Sequence, residues 1–400
     1  MAEPCAPTAG PLAGVRVLDL TRLLPGPMCT LYLAQLGADV IKIEDTSQGD
    51  YARTLGTAGA TSVLFELVNR GKRSIAIDLK QERGRKVFLA LAATANVVVE
   101  SFRPGVVRSL RIDADTLRAI NPRLVYASIT GYGQEGPRAA YAGHDINYLA
   151  CSGVLDQIGT RGGPPAVPNL QIADLLGGAA MPAIGILAAL HAAQRTGIGS
   201  YIDVAMADAA LAHNVFPLQA LAERGAVAPR GDDLLTGGAA CYGIYATLDG
   251  RYLAVGALED KFWRTLCGTL GRPDLVPGGR AIGETGERTR AALAAIFAAR
   301  TLEHWSNVFA QVDCCVTPVA TLDEALRDPQ FIGRGMVLSD RDGRPMYGPA
   351  FRVSGAVQPS TVNAPSQGEH TRELLRSLGY DGAEIDSLVA AGTVLSGAAS

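Results

Sequence analysis

Residues 15–44, VRVLDLTRLLPGPMCTLYLAQLGADVIKIE, decide the fold class. A short apolar run at 15–19 predicts a strand, residues 28–36 after the Pro-Gly-Pro turn have helical character, and residues 38–44 predict a second strand. A strand, a helix and a strand in this order are typical of a βαβ unit, whose two strands lie parallel in one sheet. The stretch therefore predicts an α/β protein.

The same alternation continues through the first half of the chain and predicts a doubly wound, Rossmann-like sheet. Further strands are predicted at residues 74–78, 96–100, 124–128 and 201–204, with helices at 81–95 and 174–194. No Gly-x-Gly-x-x-Gly sequence follows the first strand, so this layout does not bring a dinucleotide site with it.

A second, smaller α+β unit is predicted to begin within residues 223–238, where Gly, Pro, Arg and Asp accumulate. Its predicted elements are a strand pair at 243–247 and 252–255, joined by an Asp-Gly turn, and helices at 261–270, 287–299 and 302–311. A helix at 370–378, after the loop-rich stretch 335–365, predicts a return to the first unit. We therefore divide the chain into the N-terminal part of a large domain (1–222), a small domain with linkers (223–334) and a return segment that completes the large domain (335–400).

Composition argues against several classes of partner. The chain has 400 residues, of which 48% are hydrophobic, so it is long enough to bury a sizeable core. Its net charge is only -3 and its basic residues are scattered, so we expect no nucleic acid partner. The longest apolar run, 179–193, is broken by Pro182 and Gly185 and is shorter than the ~20 residues of a membrane span, so we expect a buried helix and no membrane. Residues 1–11 show no secretory signal, so we expect a cytoplasmic protein.

The seven cysteines predict neither a metal site nor a disulfide framework. No Cys-x-x-Cys sequence occurs, and no histidine stands at zinc-ligand spacing from a cysteine. The adjacent residues Cys314 and Cys315 lie in an apolar run, so we expect reduced core side chains there.

Residues 143–148, Gly-His-Asp-Ile-Asn-Tyr, place a base, a carboxylate, an amide and a phenol within one turn. Asp145 beside His144 could hold the imidazole in one tautomer and tune its basicity, as a general base or acid requires. A His-Asp pair that caps a helix is an equally good interpretation of these residues.

Two further carboxylates stand near the ends of predicted elements. Asp174 precedes Leu-Leu-Gly-Gly at the start of the 174–194 helix, where the helix dipole favours an ionised base or nucleophile and small residues leave room for a ligand. An ordinary helix cap explains Asp174 more simply. Glu259, after the strand at 252–255, could support a catalytic histidine, although an exposed acid at a helix start is the simpler interpretation.

Four basic residues cluster around the loop at 69–80, namely Arg70, Lys72, Arg73 and Lys80. The charges and backbone N–H groups of such a loop can bind the phosphates of a nucleotide. A solvated basic loop is an equally good interpretation.

Over nearly its whole length the chain resembles the class III CoA-transferase superfamily. The segments that carry the resemblance are PLAGVRVLDL (11–20), LGADVIKIE (36–44), FRPGV (102–106), YAS (126–128), GYGQ (131–134), CVTPV (315–319) and GEHT (368–371). Within the superfamily, the segments at 143–148 and 256–259 are most similar to the racemising branch, the α-methylacyl-CoA racemases, because typical transferases lack the histidine.

The resemblance implies a Rossmann-like large domain formed by both chain ends, a small central domain, and a homodimer whose subunits interlock as linked rings. It also implies an active site between the large domain of one subunit and the small domain of the other, with CoA as the bound group. Glu44 and Asp45 stand where the racemases have an arginine thought to face the adenosine phosphates. The candidate contacts to the phosphates and adenosine of CoA are Lys72, Arg73, Lys80, Arg103 and Tyr132.

The resemblance also implies two activities for the aspartate at position 174. In the transferase branch it attacks an acyl-CoA to form a mixed anhydride, whereas in the racemases it is one of two acid/base groups. His144, with Asp145 beside it, favours racemisation of a 2-methylacyl-CoA, and Glu259 of the other subunit would hydrogen-bond the imidazole. N–H groups at the start of the Asp174 helix would stabilise an enolate oxygen.

This chemistry requires no metal and no cofactor beyond the CoA of the acyl-CoA substrate. Two alternatives remain open at this point. The chain could be a CoA-transferase that moves CoA between carboxylic acids, or it could bind acyl-CoA without catalysis.

Overall fold

The computed structural model describes residues 10–56, 62–340, 342–354 and 363–397. Its strands, numbered along the chain, are β1 (Arg16–Leu20), β2 (Asp39–Glu44), β3 (Arg73–Ile77), β4 (Val97–Glu100), β5 (Val125–Thr130), β6 (Tyr201–Ala205), β7 (Tyr242–Ala246), β8 (Tyr252–Gly256), β9 (Val316–Pro318), β10 (Val337–Ser339), β11 (Pro345–Tyr347) and β12 (Val394–Leu395). Most of the stretch on which the absence of a secretory signal was predicted, residues 1–9, lies outside the described residues.

The α-helices are α1 (Pro25–Gln35), α2 (Val63–Asn69), α3 (Glu82–Ala93), α4 (Val106–Ser109), α5 (Ala114–Ile120), α6 (Asp145–Cys151), α7 (Val154–Gln157), α8 (Met181–Thr196), α9 (Met206–Ala212), α10 (Val215–Arg224), α11 (Asp260–Thr269), α12 (Glu284–Ala298), α13 (Leu302–Phe309), α14 (Leu322–Ala325), α15 (Pro329–Gly333), α16 (Thr371–Ser377) and α17 (Gly382–Ala390). A π-helix spans Ala173–Ala180, and short 3-10 helices span Tyr51–Thr54, Leu234–Thr236 and Pro273–Gly278.

The chain divides into two compact units that are each built from separate segments. The first unit comprises Met1–Ser152, Leu170–His213 and Ile332–Ser400, and the second comprises Gly153–Asn169 and Asn214–Phe331. This division differs from the prediction in two ways: the boundaries lie at 213/214 and 331/332 instead of 222/223 and 334/335, and the chain enters the second unit once before residue 170.

Ion pairs explain why the segment Gly153–Asn169 belongs to the second unit. The guanidinium of Arg161 pairs with Asp232 and, at 2.8 Å, with Glu287. Arg230 pairs with Asp156 at 2.7 Å. These contacts join residues that are far apart in sequence, so the local pattern around 153–169 could not predict them.

A seven-stranded sheet organises the first unit, in the order β12-β3-β2-β1-β4-β5-β6. Neighbouring strands are parallel except β12, which pairs antiparallel with β3. The predicted α/β fold with a parallel central sheet is therefore confirmed. From β1 the chain adds β2 and β3 on one side of the sheet and then β4, β5 and β6 on the other. The strand order therefore reverses between β1 and β4, and ligands of such sheets bind at this point, in the crevice beyond the carboxyl ends of the strands.

Side chains of β1 alternate between two cores, one on each face of the sheet. Val17 packs with residues of α1 and α8, whereas Leu18 packs with residues of α3, α16 and α17. Both faces are covered, which is the usual condition for a parallel sheet and explains why its strands are nearly continuous apolar runs.

The predicted helix at 174–194 is present, but its first part is the π-helix Ala173–Ala180 and only Met181–Thr196 is an α-helix. Ile186 and Ala193 of α8 are buried against the sheet, as predicted for a core helix. Ala173–Thr196 also has the length and the mean hydropathy, 1.7, of a helix able to cross a membrane. This indication is weak, because helices buried in the core of a soluble protein meet the same criteria.

The second unit contains the antiparallel sheet β7-β8-β9 and a separate hydrophobic core. The predicted strand pair, β7 and β8, is joined by the turn that contains Gly250 at φ +73°. Helices α11, α12 and α13 contribute Trp263, Phe297 and Trp305 to the core. Cys314 is a buried free thiol in this core, and the neighbouring Cys315 is partly buried.

Candidate active site

A cavity of about 610 Å³ opens at the carboxyl ends of β1, β4 and β5 in the first unit. Its wall includes Leu20 from β1, Ser101 directly after β4, and Thr130 from β5. His144 and Asp174 line the same cavity. The two predicted acid/base residues therefore lie together, at the edge of the sheet where an α/β fold binds its ligands.

Asp174 lies in the first turn of the π-helix, and its carboxyl group is largely buried. Burial, and then the negative charge of Asp145, raise the pKa of Asp174 to about 6, while His144 opposes the rise. A carboxyl group with this pKa can hold and release a proton near neutral pH, as an acid/base catalyst requires.

Asp145 acts on Asp174 through the backbone as well as through its charge. The backbone N–H of Asp174 donates a 3.0 Å hydrogen bond to a carboxylate oxygen of Asp145. The next N–H, that of Leu175, donates to the carbonyl oxygen of Gln171 at 2.9 Å. These two N–H groups are therefore occupied within the protein, and the predicted stabilisation of an enolate oxygen by N–H groups at the start of this helix stays a prediction.

His144 is the N-cap residue of α6 and has an extended backbone conformation. Its backbone N–H donates a 3.0 Å hydrogen bond to the side-chain oxygen of Asn147, and its imidazole is exposed. The capping interpretation and the acid/base interpretation thus apply to different atoms of the same residue. The backbone of His144 caps the helix, while its side chain lines the cavity.

Two tyrosines fix the turn that carries His144. The Tyr148 hydroxyl donates a 2.6 Å hydrogen bond to the carbonyl oxygen of Gly143, and the rings of Tyr148 and Tyr132 meet edge to face with centroids 5.2 Å apart. A Cβ atom at Gly143 would come within 2.7 Å of the Tyr148 ring, so only glycine fits there. Tyr132, a predicted CoA contact, packs behind Tyr148, whereas Tyr148 itself lines the cavity.

The glycines that follow Asp174 serve packing. A Cβ atom at Gly178 would stand 2.3 Å from Cβ of Pro25, and one at Gly177 would stand 2.9 Å from Cα of Met206. These small residues let the π-helix lie close to the start of α1 and to α9. The prediction that they leave room for a ligand is therefore wrong.

Lys72, a predicted CoA contact, is fully buried. Its ammonium group forms an ion pair of 3.0 Å with Asp19 and donates to the Thr30 hydroxyl at 2.7 Å and to the Asn69 side chain at 2.9 Å. Burial lowers the pKa of Lys72 to about 8, while Asp19 opposes the fall. Lys72 is thus part of the interior, and the prediction that it contacts a phosphate is wrong.

Arg73 is also engaged elsewhere. It is the first residue of β3, at the opposite end of the strand from the cavity, and forms ion pairs of 2.5 Å with Asp39 and 2.8 Å with Glu373. The structure therefore contradicts its predicted role as a CoA contact.

Lys80 and Arg103 are exposed and lie at cavities. Arg103 lines the 610 Å³ cavity, and Lys80 lines a second cavity of about 590 Å³ in the same unit. Their predicted contacts with CoA stay predictions.

Glu259 is an exposed residue of the second unit and is the N-cap residue of α11. Its backbone carbonyl accepts hydrogen bonds of 3.0 Å from the N–H of Phe262 and 3.1 Å from that of Trp263. Its predicted partnership with the His144 imidazole of another subunit stays a prediction.

The sequence analysis did not identify Arg22, Tyr51 and Phe102, which line both cavities. Arg22 lies two residues after β1 and Phe102 two residues after β4. Position after the carboxyl end of a central parallel strand was the signal that could have found these two. Within the described parts of the chain, no group of three or more His, Cys, Asp or Glu side chains is placed to hold a metal ion.

The sequence matches the model of a protein family, described as CoA-transferase family III, over residues 12–371. The chain belongs to CoA-transferase family III. This family III chain is 38% identical over 383 residues to the α-methylacyl-CoA racemase of Homo sapiens, with 94% of this chain and 96% of the relative covered. It is 36% identical over 357 residues to the acetyl-CoA:oxalate CoA-transferase of Acetobacter aceti, with 88% and 91% covered.

A crystal structure of a CAIB/BAIF family protein from Brucella suis has the same fold as the family III chain. The TM-score is 0.80 at 32% sequence identity, and the comparison covers 92% of this chain and 99% of that one. The predicted family is therefore confirmed. Its members are enzymes that act on CoA thioesters and include both racemases and CoA-transferases.

Proposed function

We propose that this chain is a 2-methylacyl-CoA racemase that exchanges the α-proton of its substrate between two bases through an enolate. The observation that carries the proposal is the shared cavity of His144 and Asp174. Formation of an anhydride requires only one carboxylate, whereas racemisation requires an acid/base group on each face of the α-carbon. An imidazole that lines the same cavity supplies the second group.

The proton transfers balance without any other reactant. The Asp174 carboxylate takes the α-proton, and the electrons of the C–H bond enter the enolate of the thioester. Protonated His144 then returns a proton to the opposite face of the α-carbon. In the reverse direction neutral His144 takes the proton and protonated Asp174 returns one. The pKa of Asp174, about 6, allows both protonation states of this residue near neutral pH.

CoA transfer between carboxylic acids is the second candidate. It is favoured by the 36% identity to the oxalate CoA-transferase and by Glu44 and Asp45, which by the family resemblance stand where the racemases have an arginine. In this reaction Asp174 attacks the thioester carbonyl, CoA leaves as the thiolate, and a mixed anhydride remains on Asp174. The thiolate then attacks the Asp174 carbonyl and displaces the donor acid, and an acceptor carboxylate takes over CoA by the same two steps in reverse.

The remaining parts of the proposal rest on the family resemblance and on the composition of the chain. We propose an interlocked homodimer in which Glu259 of one subunit hydrogen-bonds His144 of the other. We also propose a cytoplasmic location, an acyl-CoA as the small-molecule partner with neither nucleic acid nor membrane, and no cofactor beyond the CoA of the substrate.

The decisive experiment uses one enantiomer of a 2-methylacyl-CoA in deuterated water without an acceptor acid. We expect deuterium to enter the α-position while optical purity is lost, which NMR and chiral chromatography measure. If there is no exchange, and hydroxylamine converts the activated Asp174 carboxyl into a hydroxamate that mass spectrometry detects, the chain is a CoA-transferase. If neither reaction occurs but CoA thioesters bind, catalysis itself is refuted.

The variant His144→Ala tests the second base. We expect racemisation to fall by roughly 10²- to 10⁴-fold, the usual contribution of a positioned acid/base group, with CoA binding retained. His191→Ala is the matched control, because His191 is exposed on α8 and does not line the cavity. Racemisation by His144→Ala at the rate of this control would disprove the two-base assignment.

A further inference from the structure

The loop after β1 places Arg22 in the wall between two cavities. Five residues, Leu20, Arg22, Tyr51, Phe102 and Val106, line both the 610 Å³ cavity that holds Asp174 and the neighbouring 590 Å³ cavity. Arg22 is the charged member of this shared set. A ligand that extends from one cavity into the other must therefore pass this guanidinium.

Aromatic rings and a carboxylate hold the Arg22 side chain in place. Its guanidinium lies 4.8 Å from the centroid of the Tyr51 ring and 5.8 Å from that of Phe102. One guanidinium nitrogen forms an ion pair of 3.0 Å with Asp45, and 27% of the side chain is exposed. Among the described residues the guanidinium has no other hydrogen-bond partner, so most of its five donors are available to a ligand.

Asp45 is itself fixed, so that Arg22 is preorganised. One carboxylate oxygen of Asp45 accepts the N–H groups of Ser47 at 2.9 Å, Gln48 at 3.0 Å and Gly49 at 3.1 Å. The other oxygen bonds Arg22. The backbone is restrained too, because Leu23 has φ +67° and its N–H donates to Asp50 at 2.9 Å. Little conformational entropy is therefore lost when Arg22 binds an anion.

Several cations near this edge of the sheet are already neutralised, whereas the exposed Arg103 and Lys80 each line only one of the two cavities. Lys42 is buried in an ion pair of 2.8 Å with Asp50, and Arg53 pairs with Glu44 at 2.7 Å. Lys72 is buried on Asp19. Arg22 keeps exposed donors, and a guanidinium matches the geometry of phosphate oxygens.

We propose that Arg22 binds a phosphate group of the CoA moiety and that Asp45 competes with this phosphate for the guanidinium. The inference rests on the proposed function only in that the ligand is a CoA thioester, and it holds for racemisation and for CoA transfer alike. Arg22 is thus a binding residue that positions the thioester.

The test is calorimetric titration of the full chain with CoA, dephospho-CoA and pantetheine. For Arg22→Gln we expect the Kd of CoA to rise roughly tenfold to a hundredfold and the Kd of pantetheine to stay unchanged, as loss of a charge-assisted hydrogen bond predicts. If the increase disappears with dephospho-CoA, the contact is to the 3′-phosphate. If it remains, the contact is to the diphosphate.

The control for loss of an arginine is Arg195→Gln, at an exposed position on α8, which we expect to leave both Kd values unchanged. Equal losses for pantetheine and CoA in Arg22→Gln would show a structural effect and overturn the inference. An unchanged Kd for CoA in Arg22→Gln would also overturn the inference. A wild-type chain that binds neither CoA nor acyl-CoA would instead refute the proposed function.

Asp45→Asn provides a second variant that does not depend on the stability of Arg22→Gln. The Asn side-chain oxygen can keep the hydrogen bonds from Ser47, Gln48 and Gly49, while the competing charge is lost. We expect CoA to bind several-fold more tightly and pantetheine to bind as before. Weaker or unchanged CoA binding in this variant would contradict the competition that we propose.

Discussion

The charge of Asp145 and the backbone hydrogen bond that it accepts can be separated by a single substitution. Asp145→Asn keeps an oxygen for the N–H of Asp174 but removes the negative charge that, after burial, raises the pKa of Asp174. The substitution should therefore lower the pKa of Asp174 below about 6.

Because Asp174 must be ionised to take a proton, kcat/KM should rise with pH through its pKa. In Asp145→Asn we expect this acidic limb to move to lower pH, which a pH profile of racemisation measures. Asp115→Asn, a change at an exposed residue of α5 that does not line the cavity, should leave the limb in place. If the acidic limb of the pH profile of Asp145→Asn moves to higher pH, or does not move, the electrostatic explanation is contradicted.

The placement of some site residues was predictable from the sequence, and that of others was not, for a physical reason. His144, Asp145 and Asp174 were predictable because each combines a reactive group with a recognisable local position. Lys72 and Arg73 were assigned wrongly because charge counts in a loop do not reveal partners from other strands. Those partners, Asp19 and Asp39, are contributed by β1 and β2.

At the level of secondary structure, the π-helix Ala173–Ala180 can contact α1 only because the residue at the contact, Gly178, has no side chain. Gly178→Ala would place a Cβ atom 2.3 Å from Cβ of Pro25 and 2.9 Å from the Met206 sulfur. We expect the free energy of unfolding to fall by roughly 1–3 kcal/mol, as overpacking of a core usually costs. Chemical denaturation measures this loss.

Gly185→Ala on α8 is the matched control for this prediction. Its Cβ atom would meet only the methyl groups of Ile202, at 3.3 Å and 3.7 Å, which can shift slightly. Alanine also favours a helix over glycine by up to ~1 kcal/mol, so this variant should be neutral or more stable. If Gly178→Ala and Gly185→Ala have the same free energy of unfolding, the prediction is wrong, and the π-helix can move away from α1 without loss of stability.

The strands of the parallel sheet were predictable because each is a short apolar run between turn residues. β1, β2, β3, β4, β5 and β6 all lie close to their predicted positions. β12 was not predicted, because its two residues have no pattern of their own and form a strand only by pairing with β3. The π-helix was not predicted either, because its extra residue per turn leaves no trace in the apolar periodicity.

For the molecule as a whole, Glu100 should contribute, together with Asp174, to a loss of stability as the pH rises through the mildly acidic range. Glu100 is buried at the end of β4, where it accepts hydrogen bonds from the Ser128 hydroxyl and, at 2.8 Å, from the N–H of Phe102. Burial raises the pKa of Glu100 to about 7, against an ordinary value of 4.5. The folded chain therefore binds this proton more tightly than the unfolded chain does.

The stabilisation from protonated Glu100 is complete below pH ~4.5 and is lost as the pH rises through ~7, by on the order of 3 kcal/mol at most. We expect Glu100→Gln to flatten the decline of the melting temperature over this range. Asp19, whose pKa is lowered, loses its own contribution only at more acidic pH. A change at the exposed Glu135, Glu135→Gln, should retain the wild-type slope. The same slope in Glu100→Gln would refute the assignment.

The division into two units was only partly predictable. Loop composition predicted the onset of a second unit at residue 223, but that unit resumes already at Asn214, and its earlier segment Gly153–Asn169 was missed. Loop-rich composition indicates where a packed domain ends. To which unit a segment belongs depends on contacts between residues far apart in sequence, such as those of Arg161 with Asp232 and Glu287, and a local sequence pattern cannot predict these.

The pairing of β12 with β3 has a consequence for how the polypeptide matures on the ribosome. β3 pairs with β2, which precedes it in the chain, but its other edge is completed by Val394 and Leu395. All residues of the second unit are translated before these two emerge. During that interval the nascent chain presents an unpaired strand edge, which is a template for wrong pairing. Protection of this edge by a chaperone should therefore matter most late in translation.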